Sequence, residues 1–408
     1  MILFVIIKDN PFISSSASAN RWLTLIEGLS NLGTKIELLV YGGYQSEKEA
    51  KEWKTGGNIS GVNIKYIAPQ LIEGYWKLRY YTYIGSTFRE GKLINLIQKE
   101  LESNEGIVWT DSSYFGFKLA VKLRKFMPNQ KIFLEMSEFL DIKHKGNKIN
   151  FLQRLNASKR KDFFERKAFY VYDGLALMTK TLFNHYTSFP QPHPRFIHLP
   201  MTVDPERFSS NHEPLKEFVK PYIAFVGVMN DAKDGVNILI KAFDKIASQF
   251  PQYKLYLIGP WQYDTPNHMK MIKDNGLSDR VFWMKEYSRD SIPTIIKNAD
   301  LLVLPRPDSK QAQGGFPTKL GEYLATGNPV CATTVGEISD YLTDGESVYF
   351  AEPGSVDTFA YAMKRALSNP NEAKRIGATG RKVAEMYFNK DIQSKILLDF
   401  LKEIYLTR

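Results

Sequence analysis

Residues 299–345 read ADLLVLPRPDSKQAQGGFPTKLGEYLATGNPVCATTVGEISDYLTDG. An apolar strand, Leu301–Leu304, runs into a loop of small residues at Gly314 and Gly315. A short helix, Pro317–Ala325, follows, then a stop at Gly327 and a second apolar strand, Pro329–Ala332. Parallel sheets are built from such strand–loop–helix–strand units. The first N–H groups of the helix have no internal partner and carry its positive dipole end, so the turn before it attracts anions. Pro317 suits the first helical position. Thr318, Lys319 and Glu322 share one helix face, while Leu320, Tyr323 and Leu324 lie opposite and can pack on a sheet. One element thus offers an anion cradle, a cation and a carboxylate.

Outward from this stretch, strand-like and helix-like segments alternate. Strands are expected at Ile2–Ile7, Lys35–Tyr41, Asn63–Ile67, Ile107–Trp109, Lys131–Glu135, Leu175–Met178 and Phe196–Leu199. A polar, proline-punctuated stretch at 201–220 reads as a linker. Beyond it, strands are expected at Tyr222–Val226, Lys254–Ile258 and Val281–Met284. The alternation predicts an α/β protein of two Rossmann-like, doubly wound parallel-sheet domains. Their boundaries are set at 1–205 and 206–385, with a last helix in 386–408 packing back on the first domain.

The chain has 408 residues, 43% hydrophobic and 24% charged, which suits two soluble globular domains. No apolar run approaches the ~20 residues needed to span a bilayer. MILFVII at the start reads as a buried strand and not a signal peptide. The single cysteine, Cys331, permits no intramolecular disulfide, and a cytoplasmic setting is the expectation. Its apolar neighbours make it a small buried hydrophobe. The net charge of +10 suits phosphorylated substrates or an anionic lipid surface. Residues 143–167 hold nine Lys or Arg against two acidic residues, interleaved with Phe151, Leu152, Leu155, Phe163 and Phe164. Two readings stand open: peripheral contact with an anionic membrane, or a solvated helix with its apolar stripe turned inward. The stretch 75–89, YWKLRYYTYIGSTFR, is similar in kind. The basic residues match no nucleic-acid recognition motif.

The run GGFPTKLGEYLATGNPV resembles the donor-binding segment of GT-B glycosyltransferases of the retaining family 4 type, the glycosyl transferases group 1. Other landmarks of that family stand in order: ANRWLTLIEGLSNLGTKIELLV, FIHLPMTVDPERF, PYIAFVGVMNDAKDGVNILIKAF, KLYLIG, DLLVLP and DGESVYFAEPGS. The resemblance implies two domains facing each other across a cleft. It implies a nucleotide-diphosphate sugar as donor, a glycan or lipid-linked acceptor, and a role in cell-surface polysaccharide synthesis. It implies no cofactor and no metal. The absence of an Asp-x-Asp pair agrees with basic side chains holding the diphosphate.

The residues expected to carry the reaction are Lys233, Glu138 and Glu322. Lys233 stands six after Gly227, where the family has a phosphate-binding lysine. Arg306 or Lys319 is expected as a third cation; the family arginine after that glycine is here Val228, and Arg306 is expected to compensate. Glu322 matches the glutamate that accepts the ribose hydroxyls, a task for which a carboxylate is apt. The family's first glutamate falls on Gly314, so backbone groups of Gly314, Gly315 and Phe316, beside Thr318, take more of the donor contact. The segment Met284–Ser288, with Tyr287, is expected at the base. On the acceptor side stand Ser16, Arg21, Asp111, Ser137 and Glu138. Glu138 orients the acceptor or closes a salt bridge, and Arg21 reaches the diphosphate or lies on a helix surface. A nucleotide-sugar epimerase of the same fold and a non-catalytic nucleotide-sugar-binding subunit are the alternative functions.

Overall fold

The computed structural model describes every residue except 15, 45, 54–55, 68, 73–76, 78–84, 102–104, 141–157, 210–212 and 408. Residues 143–157 of the basic segment, and all of 75–84 but Lys77, therefore lie outside the described residues. The chain divides into two compact units. The first takes the described residues of Met1–Asp141 and Leu152–Leu199 together with Gln393–Arg408, and the second takes Pro200–Ile392.

The first unit is built on β1 (Ile2–Ile7), β2 (Lys35–Val40), β3 (Gly57–Ile59), β4 (Val62–Tyr66), β5 (Gly106–Thr110), β6 (Lys131–Met136), β7 (Gly174–Leu177) and β8 (Arg195–His198). They form one sheet in the order β3-β4-β2-β1-β5-β6-β7-β8, parallel except for the β3–β4 hairpin. Its inner strands are near-continuous apolar runs because both faces are covered. One face packs Phe4, Ile6, Val108 and Leu134 with Phe117, Phe164 and Phe169. The other packs Leu3, Val5, Leu38 and Trp109 with Leu25, Ile26 and Leu29. To these the C-terminal helix Lys390–Leu406 adds Leu397, Phe400, Leu401 and Ile404. In the described end of the basic segment, Phe164 is fully buried and Phe163 packs against the same core. There the apolar stripe turns inward.

The second unit carries β9 (Tyr222–Val226), β10 (Lys254–Ile258), β11 (Val281–Met284), β12 (Leu301–Leu304), β13 (Val330–Thr333) and β14 (Tyr349–Ala351). The order is β11-β10-β9-β12-β13-β14, parallel throughout. Helix Val236–Ala247 shows why it forms here: Val236, Leu239, Ile240, Phe243, Ile246 and Ala247 recur at helical spacing and all are buried on the sheet. In each sheet the connections run one way and then the other. The reversal falls between β1 and β5 in the first unit and between β9 and β12 in the second, and ligands favour such points at the carboxyl ends of strands.

The sequence reading holds for the long strands and misses short elements. β3 and β14 have three residues each, and helices Glu47–Glu52, Lys180–Thr187 and Thr265–Asp274 were not anticipated. Helix Pro370–Val383 closes in a π turn, Ala384–Phe388.

Candidate functional site

The anion turn is more ordered than its sequence suggests. Gly314 ends a short helix, Lys310–Gly314, instead of lying in a loop. Pro317 is the cap and not the first helical residue, so the site helix is Thr318–Ala325. That proline has extended backbone and caps with no side chain, so it leaves the helix start open to an outside acceptor. Phe316 turns its ring into a cluster with Tyr341 and Phe388, which fixes the turn and leaves only its backbone for a ligand. Leu320, Tyr323 and Leu324 are buried as expected. The Tyr323 hydroxyl accepts from Val226 N at 2.7 Å, tying this helix to the last residue of β9.

Lys319 departs from its own helix and reaches across β9. Its ammonium is 2.8 Å from Asp234 Oδ1 and 4.7 Å from the centre of the Phe225 ring. A Cβ on Gly227, the residue after β9, would fall 2.1 Å from that nitrogen, so the missing side chain makes room for the ammonium. Gly259, the residue after β10, packs as tightly behind: a Cβ there would sit 1.9 Å from the Gly227 carbonyl oxygen. Burial lowers the Lys319 pKa, Asp234 opposes that shift, and the neighbouring charges of Arg306 and Lys233 lower it further.

Lys233 lies in a single helical turn, Asp231–Asp234, capped by Asn230 Oδ1 accepting from Lys233 N at 2.9 Å. The turn ends at Gly235, whose φ of 68° favours glycine, and whose absent Cβ would meet the Pro305 carbonyl oxygen at 2.0 Å. That contact brings the turn against the end of β12. There Arg306, 4% exposed, donates Nε to the Lys233 carbonyl at 3.4 Å and accepts at its own carbonyl from Thr333 Oγ1 at 2.7 Å. Lys233, Arg306 and Lys319 are thus brought together at the strand-order reversal, beside the start of helix Thr318–Ala325.

Glu322, one turn along that helix, is partly buried and pairs with Arg207, not with Lys319. Burial raises its pKa, while Arg207, Arg289 and Lys319 pull it back. Tyr287 donates its hydroxyl to Glu217 at 3.2 Å and packs on Phe218. Asp234, Arg207, Gly227 and Gly259 were missed as site residues. The glycines ending two successive strands were the available signal, since a residue there must tolerate close backbone approach.

In the first unit, the expected acceptor residues stand at the carboxyl ends of the strands, but they differ in availability. Ser16 is occupied as the cap of helix Ala17–Asn31, accepting from Ala19 N at 3.2 Å. Arg21 corrects the expectation of outward reach. It is 2% exposed, with Nε donating to Glu135 Oε1 at 3.2 Å and Nη2 to the Leu199 carbonyl at 2.8 Å. A buried carboxylate within reach captures the guanidinium. Ser137 Oγ donates to the same Glu135 Oε1 at 2.9 Å. Asp111 is buried and raised in pKa by that burial. It accepts from the Tyr41 hydroxyl at 2.8 Å and Ser113 Oγ at 2.6 Å. Glu138 remains exposed at the end of β6, within electrostatic reach of Arg160.

Residues 208–383, which hold every feature of the second-unit site except Arg207 and Phe388, match the family of glycosyl transferases group 1. Over 198 residues the chain is 25% identical to the MMP alpha-(1->4)-mannosyltransferase of Mycolicibacterium hassiacum, covering 48% of this chain and 46% of that one. The chain spans about half the length of the curated relatives it matches, between 45% and 62%. The sucrose-phosphate synthase of Thermosynechococcus elongatus is similar over 99% of each chain, with a TM-score of 0.75 and 14% identity. Anabaena HepE, solved in complex with UDP and glucose, is similar over 98% of this chain and 99% of its own, with a TM-score of 0.70 and 14% identity. The fold is GT-B, as these likenesses establish.

Proposed function

We propose that this chain is a retaining, metal-independent glycosyltransferase that moves a sugar from a nucleotide-diphosphate sugar to a glycan or lipid-linked acceptor. The observation that carries the reading is the convergence of Lys319, Arg306 and Lys233 at the carboxyl ends of β9 and β12. Cleaving the sugar–phosphate bond develops negative charge on the departing nucleotide diphosphate, and fixed cations stabilise that charge without reorganising. The first N–H groups of helix Thr318–Ala325 add to them. Glu322 accepts the ribose hydroxyls, and the segment with Tyr287 faces the base. The sugar is displaced on one face, with a donor phosphate oxygen taking the acceptor's proton, so no strong protein base is called for. Glu138 steadies the acceptor. The mannosyltransferase name of a relative and the UDP and glucose of the HepE complex support a nucleotide-sugar donor.

Gly314, standing where the resembled family has a sugar-binding glutamate, favours a second reading, a non-catalytic nucleotide-sugar-binding subunit. Incubation with UDP-, GDP- and ADP-sugars and a panel of glycan and lipid-linked acceptors, with and without a chelator, separates the two. Transfer that survives chelation and is lost in Lys233→Ala and Glu322→Ala supports the enzyme. Binding without transfer favours the subunit, and neither binding nor transfer overturns both. Among the described residues no helix is long and apolar enough to cross a membrane. Peripheral placement on the cytoplasmic face of a membrane, suggested by the net charge of +10, is tested by sedimentation with anionic and neutral vesicles.

A further inference from the structure

On the nucleotide-sugar reading, we propose that Asp234 is a positioning residue: its carboxylate fixes the Lys319 ammonium at the end of β9, where that ammonium meets the donor's diphosphate. Electrostatics alone argue against a carboxylate in this place. An anion beside these cations weakens their attraction for a diphosphate, yet Asp234 is buried to 1% exposure with its carboxylate against Lys319. Geometry supplies the reason. Lysine is a point charge on a stem of four rotatable bonds, and it must be held if its charge is to be in place before the ligand arrives.

The carboxylate can do the holding because its own backbone is pinned on every side. Asp234 N donates to the Asn230 carbonyl at 2.8 Å. The turn's first residue, Asp231, donates its N–H to Asp264 Oδ2 at 3.1 Å. Its Oδ1 accepts from Asn237 N at 2.9 Å and lies 2.7 Å from His268 Nε2. Gly235 then sets the turn against Pro305. Asp234 Oδ1 is given to Lys319, and Oδ2 is buried with no hydrogen-bond partner among the described residues. The carboxylate's only hydrogen bond among those residues is therefore to Lys319. With the Phe225 ring on another side and the bare Gly227 backbone beside it, the ammonium has one seat.

The test is calorimetric titration of the full chain with UDP, GDP and ADP, each beside its monophosphate. Asp234→Ala should weaken the bound diphosphate by about tenfold or more, the scale of one charged hydrogen bond. The monophosphate should change by less than about threefold. Asp234→Asn, which keeps an oxygen in the same place, should fall between Asp234→Ala and the native chain. Adding Asp234→Ala to Lys319→Gln should cost nothing further. Equal or tighter diphosphate binding in both Asp234 variants, the result of removing a negative charge, would overturn the proposal, as would equal losses for mono- and diphosphate. Should Asp234→Ala fail to fold, Asp234→Asn decides alone: weaker diphosphate binding supports the proposal and unchanged binding ends it. A native chain that binds none of UDP, GDP and ADP sinks the nucleotide-sugar reading and this inference together.

Discussion

Arg207 Nη1 stands 3.3 Å from Glu322 Oε1, while Nη2 of the same guanidinium donates to the Arg289 carbonyl at 2.8 Å. The carboxylate assigned to the ribose is thereby held from a 3-10 turn, Pro205–Phe208, more than a hundred residues earlier in the chain. One carboxylate oxygen is occupied by Arg207, which fixes the orientation of the group.

Glu322→Gln tests this assignment and its energetics together. The variant should weaken UDP or GDP binding by about tenfold and erase the preference for a ribose over a 2′-deoxyribose nucleotide. Burial raises the folded-state pKa of Glu322 above its unfolded value. Its stabilising contribution is therefore complete below the unfolded pKa and is lost as pH rises through the folded one. The glutamine variant buries no charge, so it should melt no lower than the native chain as pH rises. A melting point several degrees lower, with nucleotide binding intact, would make Glu322 a structural residue.

Lys319 should give nucleotide binding an alkaline limit. Its pKa is lowered by burial from the model-compound value of 10.5, and it holds phosphate only while protonated. As pH rises toward that lowered value, diphosphate affinity should fall earlier than an ordinary lysine would allow. Lys319→Arg, charged throughout, should flatten the alkaline limb even if it binds less well at neutral pH. Titrations at several pH values check the difference, and identical alkaline limbs would rule Lys319 out as the titrating group.

Arg21 should prove a stability residue. Truncating one member of a buried pair leaves a charge without compensation, so Arg21→Ala should cost about 3–5 kcal/mol. That corresponds to a melting loss of roughly 6–20 °C for a unit of this size. Diphosphate affinity of the folded fraction should stay within about threefold. Replacing Arg21 and Glu135 together by apolar residues should recover most of the loss. An affinity loss without a melting shift would return Arg21 to the ligand.

Gly259→Ala should act on the site from outside it. The added methyl falls on the Gly227 carbonyl oxygen, and backbone must move to admit it, at about 1–3 kcal/mol. Because Gly227 makes the Lys319 seat, diphosphate binding should weaken together with stability. Native affinity in this variant would separate the two glycines.

Much of the fold was legible because its signals are local. β9, β10, β11 and β12 begin and end where apolar runs do, and helix Val236–Ala247 declares itself by periodicity. The three-residue strands β3 and β14 carry too few residues for alternation to register, and the one-turn helix Asp231–Asp234 is recognisable only from its Asn230 cap and Gly235 stop. At the site, Lys319, Arg306 and Lys233 were named from the sequence, but their partners were not. Lys319 lies three residues from Glu322 and pairs instead with Asp234, 85 residues away. Arg21 looked like a helix-start arginine because nothing local announces Glu135, which is 114 residues distant. Pairings over such separations are decided by strand order, which no short window contains.

Strand order also acts as a gauge. Gly227 continues β9 and Arg306 follows β12 by a single proline, and these strands are hydrogen-bonded neighbours, with Ile223 opposite Leu301 and Ala224 opposite Leu302. The two strand ends are accordingly set side by side by a ladder spaced about 4.8 Å and not by loop length. Insertions farther along either connection would leave these two strand ends equally far apart, so loop length can vary without changing the distance between them.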